Sequence, residues 1–302
     1  MHALWNSSPM KAFLGLVLLG TLPFSAPCFA QTQAQTPESE TAGTQAPDRG
    51  VFAGDWLTVG IGAGYAPSYE GSDDYVLFPA PLAQGSVAGF DFGARGPGLY
   101  VDLVRDGNSD ARVKFLAGPL LRVRMDRNSR IKDAPVRALG KRDVAIELGA
   151  TAGVSVTQVL NPFDTLSVSA DVQWDVTGAH GGRLISPSVS YSTPLSTSIF
   201  TSLSVSATHV DDNYADTYFG IDSAGSIASG LPVFAADGGW KSYGASLLGG
   251  VDLSGDARDG GWSLFGLVSY ARLTGDAKRS PVTSVRGDAD QWFVTSGISY
   301  TF

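Results

Sequence analysis

Long runs of alternating apolar and polar residues constrain this chain more than any other feature. In "DVAIELGATAGVSVTQ" (143–158) every second residue is apolar, namely Val144, Ile146, Leu148, Ala150, Ala152, Val154 and Val156. The run "DTLSVSADVQWDV" (164–176) alternates in the same way. A spacing of two is the period of a β-strand with one apolar face. Both runs are long enough to cross a bilayer as tilted strands, which takes about 9–11 residues.

Two folds contain long alternating strands: a soluble sandwich with one wet face, and a membrane barrel with an apolar outside and a polar lumen. The composition suits many strands, because charged residues make up 17% of the chain, aromatic residues 10%, and there are 37 glycines. Strand length and both ends of the sequence favour the barrel. We therefore predict an all-β protein, an antiparallel transmembrane β-barrel.

The N-terminus has the features of a secretory signal peptide. Lys11 precedes the apolar run Ala12 to Phe24, and small residues at Cys28 and Ala30 precede Gln31. The apolar run is shorter than the roughly 20 residues of a membrane-spanning helix. A lipid anchor at Cys28 is the alternative, and Pro27 disfavours it. We predict a signal peptide at 1–30, a flexible periplasmic tail at 31–50, and the barrel at 51–302.

Charge and cysteine content exclude several classes of function. Without the signal peptide the chain keeps 20 basic and 29 acidic residues, a formal charge of −9. An acidic exported chain is a poor candidate for binding nucleic acid. Cys28 is the single cysteine, so a chain that loses it has no disulfide and no cysteine metal site.

Counting the alternating runs predicts twelve strands. They cover approximately 55–66, 75–84, 85–94, 98–105, 111–125, 143–157, 164–177, 183–193, 197–210, 241–253, 261–274 and 290–302. An even number returns both chain ends to the periplasm, with long connections outside and short ones inside. The second and third strands are the least regular, because Pro79 and Pro81 suit only an edge, a bulge or a rim.

The end of the chain, "DQWFVTSGISYTF", is an amphipathic strand that closes on an aromatic residue. Tyr300 and Phe302 resemble the assembly signal of Gram-negative outer-membrane barrels. This resemblance implies that the barrel-assembly machinery and the outer-membrane lipid are partners of the chain.

The predicted lumen carries a charge cluster centred on the fifth strand. Its cations are Arg112, Lys114, Arg122 and Arg124, and the acids on neighbouring strands are Asp102, Glu147, Asp171 and Asp175. Side chains on one face of adjacent strands are close enough to pair. The cluster lines a solute-selective pore or, the interpretation we favour, forms a structural ion network that fills a narrow lumen.

Catalytic and metal sites find little support in the sequence. Outside the signal peptide there are two histidines: His180 in a turn predicted to be exposed, and His209 at the rim of the ninth strand. His209, with Ser206 and Asp211 nearby, is the one admissible base for a lipid-hydrolysing triad. The acids in "SDDY" and "HVDDNYADTY" lack the spacing of a calcium loop. We predict no catalytic residue, no metal and no cofactor.

Several segments together resemble the MipA/OmpV family of outer-membrane proteins. They are "VGIGAGYAPSYEGSDDYVLFPAPL", "DNYADTYFGI" followed by "ASGLPVFAADGGW", and "YARLTGDAKRSPV" before the terminal "GISYTF". The resemblance implies a non-enzymatic scaffold for murein synthesis that tethers a lytic transglycosylase and a penicillin-binding protein. A narrow porin-like channel is the alternative function, and a lipid-modifying enzyme ranks third.

Overall fold

The computed structural model describes residues 50–105 and 111–302, which fold into a closed barrel of twelve antiparallel strands. The strands are β1 (Trp56–Pro67), β2 (Tyr75–Val87), β3 (Phe90–Ala94), β4 (Gly98–Val101), β5 (Val113–Arg124), β6 (Ala145–Thr157), β7 (Thr165–Asp175), β8 (Arg183–Pro194), β9 (Ile199–Val210), β10 (Gly239–Asp252), β11 (Gly261–Leu273) and β12 (Asp290–Thr301). The predicted fold and strand number are confirmed. The predicted signal peptide, and all of the predicted tail except Gly50, lie outside the described residues.

The strands alternate between an apolar outer face and a polar inner face. In β12 the outward side chains of Trp292, Val294 and Ile298 are exposed, whereas the inward Gln291 and Thr295 are buried. An apolar outer surface is stable only against lipid, so this alternation gives the wall of a membrane barrel.

Bonds between the first and last strands close the barrel. β1 and β12 pair from Thr58↔Thr301 to Tyr65↔Val294. The hydroxyl oxygens of Thr58 and Thr301 lie 2.7 Å apart, and the Phe302 N–H donates to the Leu57 carbonyl at 2.9 Å.

The strands around the first predicted hairpin differ from the prediction. β2 continues to Val87, and the chain turns at Ala88 and Gly89, whose φ values are 54° and 78°. Two successive residues with positive φ make the tight turn that matches strand twist. The predicted turn at "QGS" (84–86) is therefore wrong, and β3 and β4 are only five and four residues long.

As a consequence, one edge of β2 is largely unpaired. β2 pairs with β1 from Tyr75 to Ser86 but with β3 only over Gly85–Val87. Pro79 and Pro81 lie on this edge, and as prolines they have no N–H to leave without a partner. The predicted edge position of the two prolines agrees with this arrangement.

Four long connections cover one end of the barrel, and we call them the cap: 68–74, 125–144, 211–238 and 274–289. They contain five short helices, α1 (Ala134–Ala138), α2 (Asp212–Phe219), α3 (Ser223–Ser229), α4 (Gly275–Arg279) and α5 (Pro281–Ser284). Barrels of this kind have their long loops outside and short turns in the periplasm, so the cap is extracellular. We call the opposite end, with the short turns and Phe302, the periplasmic end.

The cap has an apolar core of its own. One cluster joins Tyr214, Tyr218 and Phe219 of α2 to Leu184 and Leu273 at the strand ends. A second cluster consists of Tyr69, Ile131, Val136, Ile221, Leu231 and Val282. Among the described residues, no helix is long and apolar enough to cross a membrane.

Candidate functional site: the charged lumen and its cap

Two neighbouring strands form the central ion pair of the lumen. Arg122 lies opposite Glu147 in the β5–β6 register, and Arg124 lies two residues nearer the cap. The Arg124 Nε donates to Glu147 Oε1 at 2.6 Å, and Nη2 lies 3.4 Å from Oε2. The Glu147 side chain is fully buried. Removing either partner would leave a buried charge without compensation. The pair therefore links the side chains of β5 and β6 inside the lumen.

His180, in the connection between β7 and β8, extends this ion pair towards the cap. Its Nε2 lies 3.2 Å from Glu147 Oε1, and its Nδ1 accepts from the Gly182 N–H at 3.0 Å. Since Nδ1 is an acceptor, the neutral ring carries its proton on Nε2 and donates to Glu147. The imidazole also contacts the rings of Tyr214 and Tyr218. The prediction of an exposed His180 is wrong, because only 5% of the residue is exposed.

A second buried group surrounds Glu70, which follows β1. The Tyr214 hydroxyl donates to Glu70 Oε2 at 2.7 Å, and the Lys241 ammonium donates to Glu70 Oε1 and to the Tyr214 hydroxyl. The Arg124 guanidinium lies 5.0 Å from the centre of the Tyr214 ring. Arg124 therefore connects the Glu147 pair to the Glu70 group, and both belong to one buried network.

The carboxyl group of Asp126 lies beside Glu70 and is strongly perturbed. The Glu70 N–H donates to Asp126 Oδ1 at 2.7 Å. Burial, together with the negative charge of Glu70, raises the pKa of Asp126 to about 6. Burial acts in the same direction on Glu70, but Lys241 and Arg124 outweigh it and hold the pKa of Glu70 below its ordinary value. Of these two neighbouring carboxyl groups, Glu70 is therefore ionised and Asp126 titrates in mild acid.

The remaining acids of the predicted charge cluster have other partners. Asp171 lies 3.6 Å from Arg95, a lumen cation that the sequence analysis missed. Asp102 accepts from the N–H groups of Val104 and Ala117. Asp175 accepts from the turn that follows it, including the N–H groups of Thr177, His180 and Gly181. Unpaired backbone donors at strand ends compete for short acidic side chains, so the cross-strand pairing expected for Asp102 and Asp175 does not form.

The cations towards the periplasmic end are also separate from the network. The Arg112 guanidinium donates to the Gln158 carbonyl at 2.8 Å. Lys114 points into the lumen and has no ion pair among the described residues. The buried Arg122 Nε has no hydrogen-bond partner there either. Of the eight residues predicted for the cluster, the structure thus joins only Arg124 and Glu147 directly.

The proposed triad around His209 is not assembled. The His209 ring packs edge-on against Trp240 on the outer surface of the barrel, whereas Ser206 lies on the inner face of β9. Asp211 caps α2 by accepting from the Tyr214 N–H. No described group of three or more His, Cys, Asp or Glu side chains is placed to hold a metal ion.

The cap is bound together by contacts among all four of its connections. Tyr69 donates to the Arg286 carbonyl at 2.9 Å, and the Arg286 guanidinium lies 2.6 Å from Asp133. Arg127 donates to the Tyr218 carbonyl at 2.9 Å. Ser280 donates to the Phe219 carbonyl at 2.6 Å. Beneath the cap a cavity of ≈ 250 Å³ is lined by Glu70, Arg124, Asp126, Gln291 and neighbouring strand residues.

Sequence reasoning did not place Glu70, Lys241 and Tyr214 in a common site. They are far apart in the sequence, and each lies in a segment that was interpreted as a loop or a strand end. Lys241 lies between Trp240 and Ser242, where a register shift turns it inwards. A single charged residue at a strand end carries no signal for such a bulge. Glu70 and Tyr214 belong to connections whose folding over the lumen is a tertiary effect.

Comparison with known proteins identifies the family. A family model described as "MltA-interacting protein MipA" matches residues 59–302. The chain belongs to the MipA family. The MipA family resemblance and the predicted outer-membrane location are thereby confirmed. No curated protein matches the chain.

Solved structures similar to this MipA-family chain include outer-membrane channels. An outer membrane channel from Pseudomonas putida F1 is 14% identical, with 86% of this chain and 100% of that chain covered and a TM-score of 0.42. The NanC porin is 8% identical, with 81% and 98% covered and a TM-score of 0.39. The channel DcaP of Acinetobacter baumannii is 10% identical, with 87% and 100% covered and a TM-score of 0.34.

Proposed function

We propose that this protein is a non-conducting, non-enzymatic scaffold in the outer membrane that binds a murein-cleaving enzyme at its periplasmic end. The observation that carries the proposal is the cap, three of whose four connections contribute a residue to the buried charge network, namely Glu70, Asp126 and Tyr214. A barrel that conducts small solutes needs a continuous polar path, and the cap fills the extracellular end of that path. The lumen charges then serve chiefly to hold the cap in place.

Opening the cap would be energetically costly. The Glu70 carboxylate lies on one of the cap connections, and it would have to leave Lys241 of the barrel wall. Glu70 would be hydrated outside the barrel, but Lys241 would lose its partner, and a charge that stays buried without its partner costs about 3–5 kcal/mol. Movement of α2 would also remove Tyr214 and Phe219 from their apolar cluster. These costs support a permanently closed barrel.

The periplasmic turns offer a surface for a protein partner. Leu160, Phe163 and Leu195 are 79%, 69% and 66% exposed at the tips of the β6–β7 and β8–β9 turns. Asn161 donates to Thr193 at 3.1 Å and so ties the first turn to the end of β8. Exposed apolar groups on a fixed backbone are typical of interaction sites. The description of the family as MltA-interacting supports a lytic transglycosylase as the partner, and the resemblance adds a penicillin-binding protein.

A narrow channel is the second candidate, and one observation favours it. Leu248 is 37% exposed although it lies on the inner face of β10, next to the inward Ser246. Exposure of an inward side chain at mid-strand indicates space in the lumen below the cap. A channel would pass solutes through that space and around the charged side chain of Arg122.

Binding of the purified barrel in lipid nanodiscs to a purified lytic transglycosylase tests the scaffold. We expect Leu160→Ser combined with Phe163→Ser to weaken binding at least tenfold. Val233→Ser, which alters an exposed apolar residue of the cap, is the matched control and should leave binding unchanged. If the unmodified barrel does not bind any purified murein-cleaving enzyme or synthase, the scaffold proposal is wrong.

Single-channel recording in planar bilayers tests the alternative. A closed scaffold gives no conductance steps from correctly folded protein. Steps whose size or ion selectivity changes with Arg122→Glu would establish the channel instead.

A further inference from the structure

The unpaired edge of β2 faces the lipid and carries two cations of the cap. Arg130 donates to the Leu77 carbonyl, and Lys132 donates to the Tyr75 carbonyl. Both cations are exposed, and both belong to the 125–144 connection. Side chains rather than a neighbouring strand thus reach the upper part of this edge.

The geometry of the edge fixes the separation of the two charges. Tyr75 and Leu77 are two residues apart on one strand, so their carbonyl groups lie roughly 7 Å apart on the same side. The ammonium of Lys132 and the guanidinium of Arg130 are held at about this separation. A Lys ammonium has three donors and an Arg guanidinium has five, so both retain donors after binding one carbonyl each.

The surroundings of the two cations combine aromatic and apolar groups. Arg130 and Lys132 line a cleft of ≈ 400 Å³ together with Tyr65, Tyr75, Val76 and Leu77. The rings of Tyr65 and Tyr75 stack with their centres 5.1 Å apart. Tyr75 begins β2 at the cap end, and tyrosines at strand ends mark the level of the lipid headgroups. Leu77, 68% exposed, continues the cleft towards the acyl chains.

Two other arginines of the upper rim have ion pairs within the protein. Arg272 pairs with Asp290 at 2.8 Å, and Arg286 pairs with Asp133. Neither Arg130 nor Lys132 has an ion pair among the described residues. Asp74 precedes Tyr75 in the sequence and Asp133 follows Lys132, and Asp133 is already paired with Arg286. Two exposed cations without an ionic partner, beside the apolar side chain of Leu77, therefore have charge and donors available for an anion from outside the chain.

We propose that this cleft binds the phosphorylated headgroup of a lipid in the outer leaflet. The phosphate would lie between Arg130 and Lys132, the sugar or glycerol part against the two tyrosine rings, and an acyl chain along Leu77, Pro79 and Pro81. Arg and Lys bind phosphate oxygens through charge-assisted hydrogen bonds. Bound lipid would at the same time cover the edge of β2, where neighbouring strand hydrogen bonds are missing. The site is independent of the scaffold function.

Native mass spectrometry of the detergent-solubilised full-length barrel tests this site. The two probes are lipid A and its dephosphorylated form, which share the same acyl chains. We expect the unmodified protein to retain one lipid A at collision energies that remove the dephosphorylated lipid. Equal retention of the two lipids by the unmodified protein would overturn the proposal without any variant.

Substitutions locate the site. The double variant Arg130→Gln, Lys132→Gln should lower lipid A occupancy at least tenfold. The matched control Arg137→Gln, Lys141→Gln removes two exposed cations of the same connection that do not line the cleft, and it should retain the lipid. Unchanged occupancy in the first variant, or an equal loss in both, would overturn the assignment. Displacement of lipid A by an equal concentration of inorganic phosphate would show a simple anion site and reject the lipid.

Discussion

The ring of Phe78 occupies the space in which a side chain at Gly64 would begin. A Cβ built on Gly64 would lie 2.1 Å from the nearest ring atom of Phe78, which is the residue paired with it across β1 and β2. The Phe78 ring in turn packs against Phe293 of β12 at 5.5 Å. The absence of a side chain at Gly64 thus allows three adjacent strands to share one aromatic contact.

We expect Gly64→Ala to destabilise the barrel by about 1–3 kcal/mol, because overpacking forces side chains out of their preferred rotamers. Urea unfolding in detergent micelles, followed by tryptophan fluorescence, measures the change. Gly250→Ala is the control, because its Cβ would be 3.8 Å from the nearest atom, an ordinary contact. Equal effects of the two substitutions would contradict the packing argument.

Glu147→Gln should be among the most damaging substitutions in the lumen. It leaves the Arg124 guanidinium buried without its negative partner and weakens the bond to His180, and removal of one member of a buried pair costs about 3–5 kcal/mol. The folded fraction in a heat-modifiability gel and the urea midpoint both report this loss. Asp256→Asn removes an exposed pair with Arg258 and should have little effect. A stable Glu147→Gln protein would show that Arg124 finds another partner.

Stability should depend on pH through Asp126. Because its pKa is about 6 in the folded protein and near 3.8 ordinarily, the folded state holds a proton that the unfolded state releases between these values. Stability is therefore lost as the pH rises from about 4 to about 6. Asp126→Asn should abolish this part of the pH dependence and stabilise the barrel at pH 7 by up to about 3 kcal/mol.

Urea midpoints between pH 4 and pH 8 check the pH prediction. Asp237→Asn alters an exposed carboxylate of the cap and serves as the control. If the Asp126→Asn protein is less stable than the unmodified protein at pH 7, the bond from the Glu70 N–H to Asp126 outweighs the cost of burying the charge.

Replacing both Pro79 and Pro81 by alanine should damage the barrel although alanine fits any strand. Each substitution adds an N–H group on the unpaired edge of β2, where lipid offers no acceptor. We expect a lower folded yield, or pairing of barrels through the new edge donors. A heat-modifiability gel measures the folded yield, and light scattering of the detergent-solubilised protein measures the pairing. Pro232→Ala, in an exposed part of the cap, should behave like the unmodified protein.

The barrel fold and the number of its strands could be predicted from the sequence, because the two-residue period of a strand is a local signal. Residues 143–157 alternate so regularly that β6 is found within two residues of its predicted ends. The turn at Ala88 and Gly89 escaped prediction because alanine seldom adopts a positive φ. The shortness of β3 and β4 was not predicted either. Apolar and polar residues alternate through much of 85–105, including positions that have no partner strand beside them.

The network above the lumen was less accessible to sequence reasoning. Arg124 and Glu147 lie on adjacent regular strands, and their proximity follows from the strand register. His180, Glu70 and Tyr214 lie in connections, where the deciding factor is how loops fold across the barrel. The segment "TGAHGGR" reads as a solvent-exposed turn. In the structure Asp175 binds the N–H groups of this turn, and His180 is buried.

The pairing of β1 with β12 has a consequence for biogenesis. The wall becomes continuous only when the Thr301 and Phe302 end of the chain has joined Leu57 and Thr58, the strand that left the ribosome first. A chain that ends before β12 keeps two unpaired strand edges, which can pair with other chains. A shortened product without β12 therefore cannot close the wall, and it leaves unpaired edges on β1 and β11.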